Sequence, residues 1–277
     1  MSIITRTTNV KEPTSVLERY TLKGKKAVVT GAAGGIGRAT SMAFAELGAD
    51  VAIVDIPAKL EESRKVAADI SEKFGVKTIA IGTDVSNKES VQAMADKVVE
   101  EFGTIDVVHS NAGIGSHGDG PDISLEHWNR IMSVNVTGVM LVDVACANVM
   151  IAHKHGGSII NTASLSSHII NQPYNKDCPA ILAYPTSKAA VRHMTKSLAL
   201  NYAKYGIRVN SISPGYIWSG LHAGLTSEQT DFEESTVPLG GYGYLDDVTG
   251  PVTLLATDLG RYMTGSDILF DGGVTIY

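Results

Sequence analysis

Tyr184 and Lys188 lie four positions apart in Ala183-Tyr184-Pro185-Thr186-Ser187-Lys188-Ala189, about one turn along a helix. A phenol titrates near pH ~10, and a positive charge fixed beside it favours the phenolate. This spacing can therefore make a tyrosine an acid and base usable near neutrality. Most such pairs are solvated neighbours on a helix surface. A serine upstream changes that reading, because the hydroxyl of Ser164 and the phenol of Tyr184 can reach one oxygen of a bound alcohol or carbonyl. Two donors on one oxygen suit oxidation of a secondary alcohol or reduction of a ketone, with no metal, provided a hydride carrier faces the carbon. Ser166 and Ser167 rival Ser164 by position, although loop polarity accounts for them better.

A carrier site is readable near the start of the chain. Thr30-Gly31-Ala32-Ala33-Gly34-Gly35-Ile36-Gly37 follows an apolar run and opens a helix through Arg38 and Ala39. Glycines there allow a tight turn, so that backbone along Gly31, Ala33, Gly35, Ile36 and Gly37 can approach a pyrophosphate at the helix N-terminus. The next apolar run ends in Asp55. A carboxylate at that place accepts from both hydroxyls of an adenosine ribose and repels a 2′-phosphate, which favours NAD(H) over NADP(H). Asp55 also reads as a helix cap before Pro57, and Arg38 is placed to face a 2′-phosphate. Asp84-Val85 and Asn111-Ala112-Gly113 end two further units at the same edge. Asp84 suits either the adenine amino group or an N-cap near Ser86, and Asn111 either braces the central strands or lines the nucleotide.

These residues need a scaffold that brings strand ends together. Short β-branched runs at 26–30, 51–55, 78–81, 105–110, 158–162, 208–212 and 267–270 alternate with helical periodicity at 36–48, 61–75, 88–103, 125–153 and 184–205. The pattern predicts an α/β fold: a Rossmann-type, doubly wound parallel sheet of about seven strands with helices on both faces. Residues 21–277 read as a single domain carrying both cofactor and substrate sites, and residues 1–20 as an N-terminal extension. Two stretches, 166–182 and 218–244, resist the alternation and are expected to border the site as long loops.

Composition narrows the partner. The 277 residues carry a net charge of −6 without a dense basic block, which argues against nucleic acid and anionic membrane surfaces and for a small-molecule alcohol or ketone. Two cysteines, Cys146 and Cys178, make neither a disulfide framework nor a metal cluster, and His153, His155 and His193 read as helix or surface residues. Met1 to Tyr20 lacks an apolar signal core, and no run reads as a bilayer span, so a soluble cytoplasmic protein is expected.

Taken together and in this order, Thr30-Gly31-x-x-x-Gly35-x-Gly37, Asn111-Ala112-Gly113, Asn135, Ser164, Tyr184-x-x-x-Lys188 and Pro214-Gly215 resemble the short-chain dehydrogenase/reductase family from about Thr21 to the C-terminus. The resemblance implies that Tyr184 is the acid/base and that Lys188 lowers its pKa while binding the nicotinamide ribose. Ser164 would polarise the substrate oxygen, and Asn135 would hold a water linking Lys188 to bulk solvent. Pro214-Gly215-Tyr216-Ile217-Trp218-Ser219 resembles the stretch that meets the nicotinamide amide, implying contacts from Pro214, Gly215, Ile217 and Ser219. Asp271-Gly272-Gly273 resembles the family's C-terminal turn near substrate and subunit contacts, and a homotetramer is implied. Ser110 stands where an asparagine is more common, an extension precedes the first strand, and the twenty positions between Ser164 and Tyr184 exceed the family's usual spacing.

The extra residues, within His168 to Pro179, are expected beside the substrate. Candidate pocket residues are Ser166, Pro173, Leu182, Tyr216, Trp218, Leu221 and Leu225. With Ile181, the apolar members of this set favour a hydroxysteroid or ketosteroid. Ser167 to Pro173 resembles instead the corresponding part of polyol dehydrogenases and sorbose-type ketose reductases. A third reading is an NAD-binding sensor or scaffold without turnover, which would have no use for Ser164, Tyr184, Lys188 and Asn135 together.

Overall fold

The computed structural model describes residues 14–115, 120, 122–171, 180–220 and 225–276. Seven parallel strands form one sheet: β1 (Lys26–Thr30), β2 (Asp50–Asp55), β3 (Thr78–Gly82), β4 (Val107–Ser110), β5 (Gly157–Thr162), β6 (Ile207–Pro214) and β7 (Asp267–Phe270). Their order is β3-β2-β1-β4-β5-β6-β7. The chain thus reverses direction across the sheet between β1 and β4, and the carboxyl ends of those strands border a crevice.

The helices are α1 (Val16–Arg19), α2 (Gly35–Glu46), α3 (Leu60–Phe74), α4 (Lys88–Phe102), α5 (Leu125–Met132), α6 (Val139–His153), α7 (Ala183–Tyr202), α8 (Ser227–Ser235) and α9 (Leu245–Ala256). Strand alternation explains the layering. Ala27 and Val29 of β1, with Val51 and Ile53 of β2, face a core shared with Phe44, Val66, Ile70, Val252 and Leu255. Val28, Ala52 and Val54 point the other way, into a core with Met94, Val98, Val142, Cys146 and Met150. Successive side chains leave opposite faces of a strand, so only a nearly continuous apolar run can serve two covered faces.

Strand positions match the sequence expectation to within a few residues, whereas α8 and α9 lay outside the predicted helices. Gly250 and Pro251 inside α9 obscure its periodicity, since proline removes a backbone donor and is a poor helix signal. The expectation that no segment could span a bilayer also needs correction. The helical stretch Leu125–His153 is long and apolar enough by length and composition. Its α6 portion instead buries Val139, Val142, Ala145, Cys146 and Met150 within the protein. The end of the extension is anchored, with the Tyr20 hydroxyl 2.8 Å from Thr253 Oγ1 of α9.

Candidate active site

A cleft of about 730 Å³ opens at the carboxyl ends of β1 to β6. At its nucleotide end, Gly31 (φ +66°) and Gly35 (φ +50°) adopt the left-handed conformation that side chains disfavour. A Cβ on Gly35 would fall 2.7 Å from the Ser219 carbonyl oxygen. The turn is therefore a backbone cradle at the N-terminus of α2, of the form that receives a pyrophosphate. Gly31, Gly35 and Ile36 line the cleft; Ala33 and Gly37 do not. Ala33 instead donates its N–H to Asp55 Oδ2 at 2.9 Å, and Gly37 is packed on Gly31, where a Cβ would meet the carbonyl oxygen at 2.2 Å.

Asp55 lines the cleft and accepts from the N–H groups of Ala33 and Ile56, so it braces the turn and caps no helix through these bonds. Asp84 accepts from the backbone and hydroxyl of Ser86, while the cap of α4 is Asn87, which accepts from Ser90 N at 2.8 Å. Asp84 and Val85 both face the cleft. Asn111 does two jobs: it lines the cleft and joins strands, donating to Thr30 O at 3.0 Å and accepting from Thr162 Oγ1 at 3.2 Å. Ala112 and Gly113 continue that wall, and Pro214, Gly215, Ile217 and Ser219 border it from the end of β6. Arg38 pairs with Asp69 at 3.8 Å and does not line the cleft. Glycine cradle, acidic brace and strand-end walls together fit a nicotinamide dinucleotide.

At the other end, α7 starts at Ala183, which puts Tyr184 in its first turn and Lys188 one turn deeper. Lys188 is only 4% exposed; its Nζ donates to Thr162 O at 2.7 Å and sits 5.6 Å from the centre of the Tyr184 ring. Tyr184 is hydrogen-bonded to Ser164. Ser164 is held in turn by Ser166, whose backbone N–H donates to its Oγ at 3.1 Å. Both expected side chains therefore converge on the cleft beside Ser164.

The expected lowering of the phenol pKa is not found in the chain alone. Burial pushes the Tyr184 pKa up, and the Ser164 hydrogen bond only opposes this. Burial also draws Lys188 down to about 8. Desolvation disfavours the charged form of each group, the phenolate of Tyr184 and the ammonium of Lys188 alike. The arrangement presents a protonated phenol and, below about pH 8, an ammonium.

Asn135 lies in a π-helical turn, Ser133–Gly138, wholly buried and behind the cleft wall. Its side chain accepts from Ile114 N at 2.8 Å and donates to Ile114 O at 2.9 Å and to Ser187 Oγ at 3.1 Å. It thereby ties the strand-end loop to α7. π-turns of this kind are often found at functional sites.

The substrate side departs most from expectation. Ser166, Tyr216 and Leu225 line the cleft, as does Ile181. Leu182 (45% exposed) and Trp218 (43% exposed) do not; Trp218 is turned onto Tyr242, ring centres 4.3 Å apart. Pro173 and Leu221 lie outside the described residues. Beside the apolar Ile181, Leu225 and Phe232, Ser166 Oγ donates to Asn171 Oδ1 at 2.5 Å and Asn171 Nδ2 donates to the Tyr216 hydroxyl at 3.2 Å. Sequence reasoning missed Lys59 and Arg130 as cleft residues; Asn171, Gln229, Phe232 and Glu233, which also line the cleft, fall in the two stretches expected beside it but were not singled out as pocket residues. For α8 a signal existed: Thr226 and Gln229 form a capping box, legible as a Thr followed three places on by Gln. Among the described residues, no group of three or more His, Cys, Asp or Glu side chains is placed to hold a metal ion.

Comparison with known proteins agrees with this geometry. A family model described as Enoyl-(Acyl carrier protein) reductase matches residues 31–275. The sorbose reductase SOU1 of Candida albicans is 37% identical over 95% of this chain and 91% of its own length. An NADP-dependent mannitol dehydrogenase of Alternaria alternata is 34% identical over 97% and 98%. Among solved structures, a short-chain type dehydrogenase/reductase from Mycobacterium marinum superposes with a TM-score of 0.90 at 42% identity, covering 95% of this chain and 100% of that one. With a dinucleotide cradle and a Ser–Tyr–Lys cluster meeting in one cleft, the chain belongs to the short-chain dehydrogenase/reductase family, whose members here are nicotinamide-dependent oxidoreductases acting on alcohol donors.

Proposed function

We propose that this enzyme interconverts a secondary hydroxyl of a polyol and the carbonyl of a ketose. The observation that carries the reading is the polar line running from Ser164 through Ser166 and Asn171 to Tyr216, which sets hydrogen-bonding groups into a cleft otherwise lined by apolar residues such as Ile181, Leu225 and Phe232. Likeness to a sorbose reductase and a mannitol dehydrogenase supports it.

When bound, the dinucleotide gives or takes hydride at the substrate carbon. In the reducing direction Ser164 and Tyr184 donate to the carbonyl oxygen, and the Tyr184 phenol passes its proton to the developing alkoxide. Lys188, held by Thr162 O, presents its ammonium to the phenolate left behind, while Asn135 fixes the loop beside it and would hold the water through which the proton is restored. Asp55 lines the cleft at the end of β2, and a carboxylate there would repel a ribose 2′-phosphate, which supports NAD(H). Lys59 at the same end supports limited acceptance of NADP(H). Residues 21–277 act as one unit. Large exposed apolar side chains, including Leu125, Leu200 and Tyr262, support a homotetramer.

The test follows NADH absorbance with a panel of ketoses and ketosteroids. Turnover of ketoses is the expected outcome; reduction of ketosteroids with ketoses untouched overturns the reading.

A further inference from the structure

The cleft-facing stripe formed by Leu225 and α8 is not uniformly apolar. Leu225, Gln229, Phe232 and Glu233 stand at i, i+4, i+7 and i+8, and all four line the cavity. Glu233 is held in place, because the Tyr242 hydroxyl donates to its Oε2. Tyr242 is fixed between the Trp218 ring and the Tyr216 ring, centres 4.3 and 5.7 Å away. The polar line that leaves Ser164 thus ends against the residue that anchors Glu233. A carboxylate offers about four lone-pair sites, and the Tyr242 bond fills one of them. Burial raises the Glu233 carboxyl, and the Tyr242 hydrogen bond opposes this in part.

We propose that Glu233 determines substrate class: its carboxylate accepts hydrogen bonds from hydroxyl groups beyond the reacting carbon, retaining neutral polyols and ketoses and repelling sugar acids. This rests on the polyol reading above. Like charges brought into a poorly solvated cleft repel, and a hydroxyl left unpaired beside a carboxylate forfeits a charge-assisted bond. The competing group is Arg130, which reaches the same cleft from α5 and would attract a carboxylate.

The experiment measures kcat/KM with NAD for D-sorbitol and D-gluconate in the wild type and in Glu233→Gln, together with the NAD dissociation constant by calorimetry. The wild type is expected to favour the hexitol. The variant should lose about ten- to a hundredfold on the hexitol, chiefly in KM, which narrows the ratio while NAD affinity stays within about twofold. Tyr242→Phe, which frees the carboxylate but keeps its charge, should shift the ratio in the same direction by less. A ratio unchanged in Glu233→Gln overturns the role of Glu233 and leaves the polyol reading standing, whereas a wild type preferring the hexonate overturns both. Failure of the wild type on every polyol and sugar acid overturns both.

Discussion

Tyr184 sits between two opposing influences, and which one wins decides how the site works. Burial holds the proton on the phenol, and the Ser164 hydrogen bond loosens it only in part. A donor that is protonated at rest suits reduction, and removing its hydroxyl should be felt in chemistry more than in binding. Tyr184→Phe is expected to cut kcat by at least about a hundredfold while NADH affinity moves less than about twofold; parallel losses in both would remove Tyr184 from the acid/base role. Asp55 offers a second test at this scale. Its bonds to Ala33 and Ile56 leave the carboxylate at the cleft edge. Asp55→Ala should narrow the preference for NAD over NADP by about tenfold or more in kcat/KM, whereas an unaltered ratio would show that selection lies elsewhere. Both residues were legible from spacing, Tyr184 through its i+4 lysine and Asp55 through its place after the second strand. The direction of the phenol's pKa shift was not legible, because depth of burial is a property of the folded cleft.

The elements behind the site are joined by a buried polar seam. Ser110 of β4 donates to Asp143 Oδ1 at 2.6 Å, and Asn161 of β5 donates to Asp143 Oδ2 at 2.9 Å. Ser110, where an asparagine was expected, therefore has a structural role in joining β4 to α6. On the other face of the same strands, His109 Nε2 lies 2.9 Å from Thr162 Oγ1, the residue whose carbonyl holds Lys188. Burial keeps that imidazole neutral, drawing it down to about 3. Burial also raises Asp143 from 3.8 to about 7, against the two hydrogen bonds. A carboxyl with a raised folded pKa stays protonated while the unfolded chain ionises, so its cost to stability grows as pH rises from about 4 to about 7 and is constant above. Asp143→Asn removes that titration. Denaturant unfolding should show the variant gaining on the wild type across this window, by roughly 4 kcal/mol at most, and a pH-independent difference would contradict an ionising Asp143.

At the scale of the molecule, the cleft draws its walls from six strand ends and α8, so cofactor binding should stabilise the whole chain. NADH at about a hundred times its dissociation constant is expected to add about 2.7 kcal/mol, seen as a melting temperature that rises with the logarithm of NADH concentration; no shift would remove the dinucleotide assignment. The parallel, doubly wound sheet could be anticipated because apolar runs long enough to cover two faces alternate with helical periodicity. That same topology puts Gly31, Asp55, Asn111 and Ser164 at one edge of the sheet. The substrate chamber was decided by tertiary structure alone. Trp218 and Leu182 read as apolar wall, yet Trp218 turns onto Tyr242, while Asn171, Gln229 and Glu233 line the cleft. Strand and helix periods are local and survive in a sequence, whereas the face a loop side chain presents depends on partners far along the chain, so the reaction was written in spacing and its substrate in packing.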